Sequence, residues 1–262
     1  MTAGSPESRT WAGNVGAIEV LVTALHRHPG KTLEAHVSGA LCNIANENDV
    51  NKTNAGIVGA VELVVKVMQR LADDTEVQER ACDALYTMRG DNEENKGRAG
   101  MAGAVEAVVA TMWRHNGSAA VHERGCAALY ALVNYKTENQ IKAENAGAFE
   151  AVVTALRKYT SIEKLQSQAL LVMRFMTGSN AKCRRAGARA LQAENTCPFV
   201  PIDVQLQVQL AMRRHADSNV LQSQACGVLR NLAGLYASYM HQHQAEEHGC
   251  HQGWCAGDAP TH

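Results

Sequence analysis

Aromatic rings are scarce in this chain: Phe, Trp and Tyr together make up 5% of its 262 residues. A core of that size must be filled by Ala, Val, Leu and Met. That favours closely packed helices over a sheet sandwich, because strands are enriched in aromatic and β-branched residues. Excess charge of either sign is missing too. Lys and Arg number 25 against 26 Asp and Glu, a formal net charge of −1, so no overall field draws the chain to nucleic acid or to an anionic membrane. No window approaches the roughly 20 apolar residues of a membrane span. The opening Met1-Thr-Ala-Gly-Ser-Pro-Glu-Ser-Arg lacks the basic and apolar regions of a secretory signal. Eight cysteines are too few for a disulfide scaffold. No Lys/Arg cluster is long enough for a nuclear signal, Lys182-Cys-Arg-Arg185 being too short. The expected compartment is the cytoplasm, with the nucleus as the alternative.

Enzyme signatures are absent as well. The chain has no GxxxxGK[ST], no GxGxxG after a strand, no GxSxG, no HExxH and no CxxC. The expectation is a protein that is not an enzyme and needs no cofactor.

What the chain does contain is repetition. Four segments open alike: Gly16-Ala-Ile-Glu-Val-Leu-Val, Gly59-Ala-Val-Glu-Leu-Val-Val, Gly103-Ala-Val-Glu-Ala-Val-Val and Gly147-Ala-Phe-Glu-Ala-Val-Val, their first glycines 43, 44 and 44 residues apart. A second element follows each, centred on Leu41, Leu85, Leu129 and Met173, at steps of 44. A fifth copy sits at Leu229, 56 residues further on. The extra dozen residues fall within Gln192 to Asp203, where Cys197-Pro-Phe-Val-Pro201 breaks any helix. Periods of this length mark stacked repeat architectures.

Both elements read as helices. Ile18, Leu21, Val22 and Leu25 have i, i+3, i+4, i+7 spacing, and so do Val61, Val64, Val65 and Met68 and their later copies. In the second element Val77, Ala81, Leu85 and Met88 form an apolar column copied by Val121, Gly125, Leu129 and Leu132. Short segments such as Asn51-Lys-Thr-Asn-Ala-Gly and Asn95-Lys-Gly-Arg-Ala-Gly join the repeats. They read as one or two helical turns ending in a glycine that permits a sharp change of direction. The glutamate after each Gly-Ala pair (Glu19, Glu62, Glu106, Glu150) sits in the first helical turn, where negative charge suits the helix dipole. One repeat cannot bury its stripe alone, so neighbours must stack into an elongated body with a long face suited to protein partners.

A short helix, a glycine turn and two longer helices on this period resemble the armadillo repeat. The matching residues are Asn-x6–7-Ala-Gly-Ala-[Val/Phe]-Glu-x-Val-Val at 95–109 and 139–153, followed by Val-x3-Ala/Gly-Cys-x2-Leu at 77–85 and 121–129. The resemblance covers roughly 14 to 235 and implies an all-α, right-handed superhelical solenoid of about five repeats. It also implies a concave groove, lined by the third helix of each repeat, that binds extended peptides or protein surfaces without catalysis. HEAT repeats are the nearest competitor but usually lack the short first helix and its glycine. The expected organisation is an N-terminal tail at 1–13, the solenoid at 14–235, and a His/Cys-rich tail at 236–262. Arg9 to Val15 reads as too short and Gly-rich for a full opening helix.

With the central Leu or Met of each third helix taken as position zero, the −6, −2 and +2 positions share one helical face. The residues at −2 are Gly39, Asp83, Ala127, Leu171 and Gly227; at +2 they are Asn43, Thr87, Ala131, Phe175 and Asn231; at −6 they are Ala35, Glu79, Glu123, Ser167 and Ser223. Armadillo importins that carry basic nuclear signals show Trp at −2 and Asn at +2 in successive repeats. Here no repeat has that Trp, and only Asn43 and Asn231 keep the Asn. The resemblance therefore does not extend to the basic-signal receptors, nor to the strongly basic groove of the catenin-type members. The candidate partner-binding residues are Asn43, Glu79, Asp83, Thr87, Glu123, Leu171, Phe175 and Asn231. They predict a mildly acidic patch in repeats two and three, moderated by Arg80 and Arg124, and a more apolar patch at Leu171 and Phe175. Tyr86 and Tyr130, at +1, are expected to be half-buried at its flank.

Cys82, Cys126 and Cys226 share the −3 column, where the repeat wants a small residue. They read as core cysteines, as does Cys42 in its bland surroundings at +1. His28 and His115 fall near helix ends, where a partly charged imidazole suits the dipole. The tail offers His241, His243, His248, Cys250, His251 and Cys255 as ligands for Zn²⁺ or Cu, in a spacing that matches no zinc module.

The sequence thus points to a protein-binding scaffold or adaptor whose partner is a protein or extended peptide, with no nucleic acid and no membrane span. One alternative is a metal-binding module acting through the His/Cys-rich tail. Another is a fragment of a larger multidomain signalling protein, in which uncapped ends would expose apolar stripe and self-associate.

Overall fold

A computed structural model describes residues 5–89, 92–178 and 202–234. Among them every regular element is a helix. The first repeat is α1 (Pro6–Asn14), α2 (Ala17–Arg27) and α3 (Lys31–Ala45). The second is α4 (Asp49–Ile57), α5 (Ala60–Arg70) and α6 (Thr75–Arg89). The third is α7 (Glu93–Met101), α8 (Ala104–Arg114) and α9 (Ala119–Val133). The fourth is α10 (Thr137–Asn145), α11 (Ala148–Lys158) and α12 (Glu163–Gly178). Two helices of the last repeat follow, α13 (Ile202–Arg214) and α14 over 219–234. The insert expected at 192–203 lies, apart from its last two residues, outside the described residues.

One expectation is corrected at the start. Residues 9–14 do belong to a full opening helix, with Val15 as its C-cap, of the same nine-residue length as α4, α7 and α10. Ser5 caps it and Pro6 occupies the first turn, where a missing N–H costs nothing. Tertiary contacts outweigh its glycines. Asn51 Nδ2 donates to Arg9 O at 2.8 Å, and Arg9 reaches Glu47 at 3.1 Å. The solenoid therefore takes in residues expected in an N-terminal tail.

In the first four repeats the second helix starts from a glycine in the left-handed region, Gly16, Gly59, Gly103 and Gly147, with φ between +76° and +86°. An L side chain there would be strained, which explains why the turn carries glycine in all four. The apolar stripes face inward: Ile18, Val64, Val108 and Val152 are fully buried, as are Val77, Leu129, Leu132 and Met173 in the third helices. Phe149 is the only aromatic ring of the buried core among the described residues. The core is thus built from Val, Leu, Met and Ala, as the ring-poor composition requires. Third helices pack on one another along the stack, α3 on α6, α6 on α9, and α9 on α12.

Two polar columns lock the stack. Asn51, Asn95 and Asn139 are buried, and each donates its amide to a carbonyl of its own repeat's approach (Ile44, Met88, Leu132) at 2.9 Å. Each also donates to a carbonyl in the short helix one repeat back (Arg9, Lys52, Lys96). Gln78, Gln166 and Gln222 donate to carbonyls at the end of the preceding second helix, for instance Gln78 to Met68 O at 3.0 Å and Leu71 O at 2.9 Å. The glutamine bonds and one bond of each asparagine satisfy helix-end carbonyls that have no intrahelical partner, while the second asparagine bond ties one short helix to the next.

Candidate functional site

The third helices α3, α6 and α9 line a concavity of about 440 Å³, bounded by Gly39, Cys42, Asn43, Glu76, Glu79, Arg80, Asp83 and Arg124. The helical period brings −9, −6, −5 and −2 of α6 to this face together with −2, +1 and +2 of α3. The glycine at −2 of α3 makes room for the next repeat: a β-carbon on Gly39 would lie 2.9 Å from Arg80 Nη1.

The charges are knitted across repeats. Arg124, at −5 of α9, reaches back to Asp83, at −2 of α6, with Nη1 to Oδ2 at 2.6 Å, and lies 3.9 Å from Glu79 Oε2. Arg80 instead pairs within its own helix, to Glu76 at 2.9 Å. Three carboxylates, Glu76, Glu79 and Asp83, therefore share the concavity with two guanidiniums, Arg80 and Arg124. Burial pushes the Asp83 carboxyl above its ordinary value, and the nearby Arg124 opposes that shift. Glu123 lies one repeat further on and pairs with Lys164 at 2.7 Å.

Of the eight residues selected from the sequence, Asn43, Glu79 and Asp83 come together in the concavity. Thr87 stands at its edge, its hydroxyl 3.2 Å from Cys42 Sγ. Leu171 is half-buried. Phe175 packs against Tyr130 and Tyr135, with ring centroids 5.5 and 5.2 Å apart. Asn231 sits apart and turns toward the preceding repeat, donating to Arg174 O at 2.9 Å and to Thr177 Oγ1 at 3.3 Å. Sequence reasoning placed Arg80 and Arg124 only as neighbours of the acids. It missed Glu76, at −9, and it missed Arg89, which lies 5.0 Å from the Tyr130 ring. Arg89 was discoverable, because +4 holds Ala45, Val133 and Thr177 in the other repeats.

The cysteine column divides. Cys82 and Cys126 are free and buried, and burial raises both thiols, Cys126 to about 12. Cys226 is corrected: it is exposed. The −3 face of α6 and α9 is covered by the third helix of the next repeat, and among the described residues no such helix follows α14. His28 and His115 are the C-cap residues of α2 and α8, and His115 Nε2 donates to Ala72 O at 2.7 Å. The candidate metal ligands His241, His243, His248, Cys250, His251 and Cys255 lie outside the described residues. Among those described, no cluster of His, Cys, Asp and Glu could hold a metal ion. Among them, too, no helix is long and apolar enough to cross a membrane.

Solved structures match the chain over most of its length. A designed armadillo repeat protein in complex with the peptide (KR)4 is 20% identical over 88% of this chain and 87% of its own, with a TM-score of 0.70. A second designed armadillo repeat protein is 20% identical over 88% of each chain, at 0.71. An engineered protein from a structural genomics consortium is 21% identical over 89% of this chain and 86% of its own, at 0.73. No family model and no curated protein matches the chain. The fold is an armadillo-like all-α solenoid, and the named armadillo neighbours are repeat scaffolds.

Proposed function

We propose that this chain is a non-enzymatic scaffold or adaptor that binds an extended peptide of a partner protein along its third helices. The observation that carries the reading is the α3–α6–α9 concavity, an open polar trough shared by three repeats. Open extended faces suit chain-like ligands, which bind through repeated contacts along their length. A single basic side chain of the ligand is placed among Glu76, Glu79 and Asp83, with the exposed Asn43 at the rim for its backbone. Support comes from the designed relative bound to (KR)4. This chain lacks the Trp–Asn ladder, so it takes one basic side chain here and not a run of them.

The test is a pull-down of the partner captured by the full chain, repeated with Glu79→Lys, Asp83→Lys and Glu123→Lys combined. Loss of the partner with helicity unchanged is the expected result. Undiminished capture would move the binding face elsewhere.

A further inference from the structure

Arg89 stands where other repeats bury small or apolar groups. At +4 they place Ala45, Val133 and Thr177, all buried, whereas α6 ends on Arg89. Its guanidinium carbon lies 5.0 Å from the centroid of the Tyr130 ring and 5.7 Å from that of Tyr86. Nε and Nη1 are shut off from solvent, and among the described residues no acceptor lies within hydrogen-bond reach of either. Nη2 is not among the enclosed atoms and offers the approach. Enclosing guanidinium nitrogens without acceptors is unfavourable, and cation–π contacts offset only part of the lost hydration. The dipole at the C-terminal end of α6 favours a cation but supplies no acceptor to these nitrogens.

The surroundings indicate the ligand. Beyond Tyr130 the rings continue through Phe175 to Tyr135. Tyr135 is 77% exposed; its left-handed backbone, at φ +56°, is shared by Glu47 at the same place in the first repeat and belongs to the turn that follows the third helix. A planar cation that is open only at Nη2, beside exposed rings, matches a carboxylate flanked by an apolar side chain: Nη2 can donate a charge-assisted bond to one carboxylate oxygen while the rings receive the neighbouring side chain.

We propose that Arg89, held between Tyr86 and Tyr130, seats a carboxylate of an acidic peptide segment, with Phe175 and Tyr135 covering the apolar side chain beside it. This rests on the peptide-binding reading above and gives the ligand an acidic residue as well as a basic one.

The test uses the full chain and three immobilised peptides, (Glu-Leu)4, (Gln-Leu)4 and (Lys-Leu)4, read by interferometry. The expected result is that (Glu-Leu)4 binds about tenfold or more tighter than (Gln-Leu)4. Arg89→Met should abolish that preference while the melting temperature holds or rises, because an unpaired, partly enclosed charge has been removed. Arg89→Lys, which keeps the charge but loses the planar face set against Tyr86 and Tyr130, should recover only part of the preference. Equal binding of (Glu-Leu)4 by the parent and Arg89→Met overturns the proposal. So does a fall in melting temperature of more than about 4 °C in Arg89→Met, which would make the residue structural. If (Lys-Leu)4 binds and Asp83→Lys removes it while (Glu-Leu)4 is ignored, the Arg89 assignment alone fails. If none of the three binds, the peptide-binding reading fails and the Arg89 seat with it.

Discussion

Gly56 and Asn95 are made for each other: the Asn95 side-chain oxygen occupies the space that a β-carbon on Gly56 would take. The same fit pairs Gly13 with Asn51 and Gly100 with Asn139. Alanine normally favours a helix over glycine by about 1 kcal/mol. At Gly56 the sign should reverse, because the methyl group displaces the amide that bonds Lys52 O and Met88 O. Gly56→Ala is expected to destabilise by about 2–3 kcal/mol, the scale of two buried hydrogen bonds lost less the propensity gain. Gly97→Ala is the control: it is also helical, its β-carbon would make only an ordinary contact with Lys136, and it should be neutral or stabilising. Urea denaturation of both variants decides, and equal stabilities would reject the interlock.

His122 interrupts the glutamine column. Gln78 and Gln166 each hold two carbonyls of the preceding helix, whereas His122 Nδ1 donates only to Ser118 O at 3.0 Å and its ring packs on Tyr159. Burial pulls the imidazole pKa below its usual 6.5. The unfolded chain therefore binds the proton more readily, and stability rises with pH across the interval between the two values. This contribution is complete above pH 6.5 and declines as pH falls through the lowered folded value. His122→Gln should remove this acid sensitivity and add bonds to the carbonyls of Met112 and His115. Melting curves at pH 7.5 and 5 give the answer: an equal loss in both proteins would assign the sensitivity elsewhere.

Periodicity within one repeat made the helices legible, since an apolar stripe such as Ile18, Leu21, Val22 and Leu25 is a local pattern. The left-handed glycines were legible for the same reason, because Gly59 recurs at each turn. What crosses repeats was not. Asn95 looked like part of a joining segment, although its carbonyl partner at Lys52 lies 43 residues away. Arg124 stood beside Glu123 in the sequence, yet it folds back onto Asp83. The charge of the trough depends on that crossing, which no pattern along a single helix reveals. Asn231 stands at +2, where the sequence reads as a groove position, but its amide is occupied by Arg174 O.

The column that holds Gln78 begins with Glu34, which is buried and pairs with Arg70 of the next repeat. A carboxylate cannot donate to helix-end carbonyls, so Glu34 draws its partner from the neighbouring second helix. Glu34→Gln should be at least as stable as the parent, because glutamine restores the donor that this position carries elsewhere. Arg70→Ala leaves a buried carboxylate unpaired and should destabilise by about 1–3 kcal/mol, less than a fully enclosed pair because Arg70 is half exposed. In the Glu34→Gln background the same substitution should cost no more than about 0.5 kcal/mol, the range of an ordinary surface change. The double-mutant cycle isolates this coupling. A coupling near zero would mean that Glu34 is held by the packing around it and that Arg70 adds nothing.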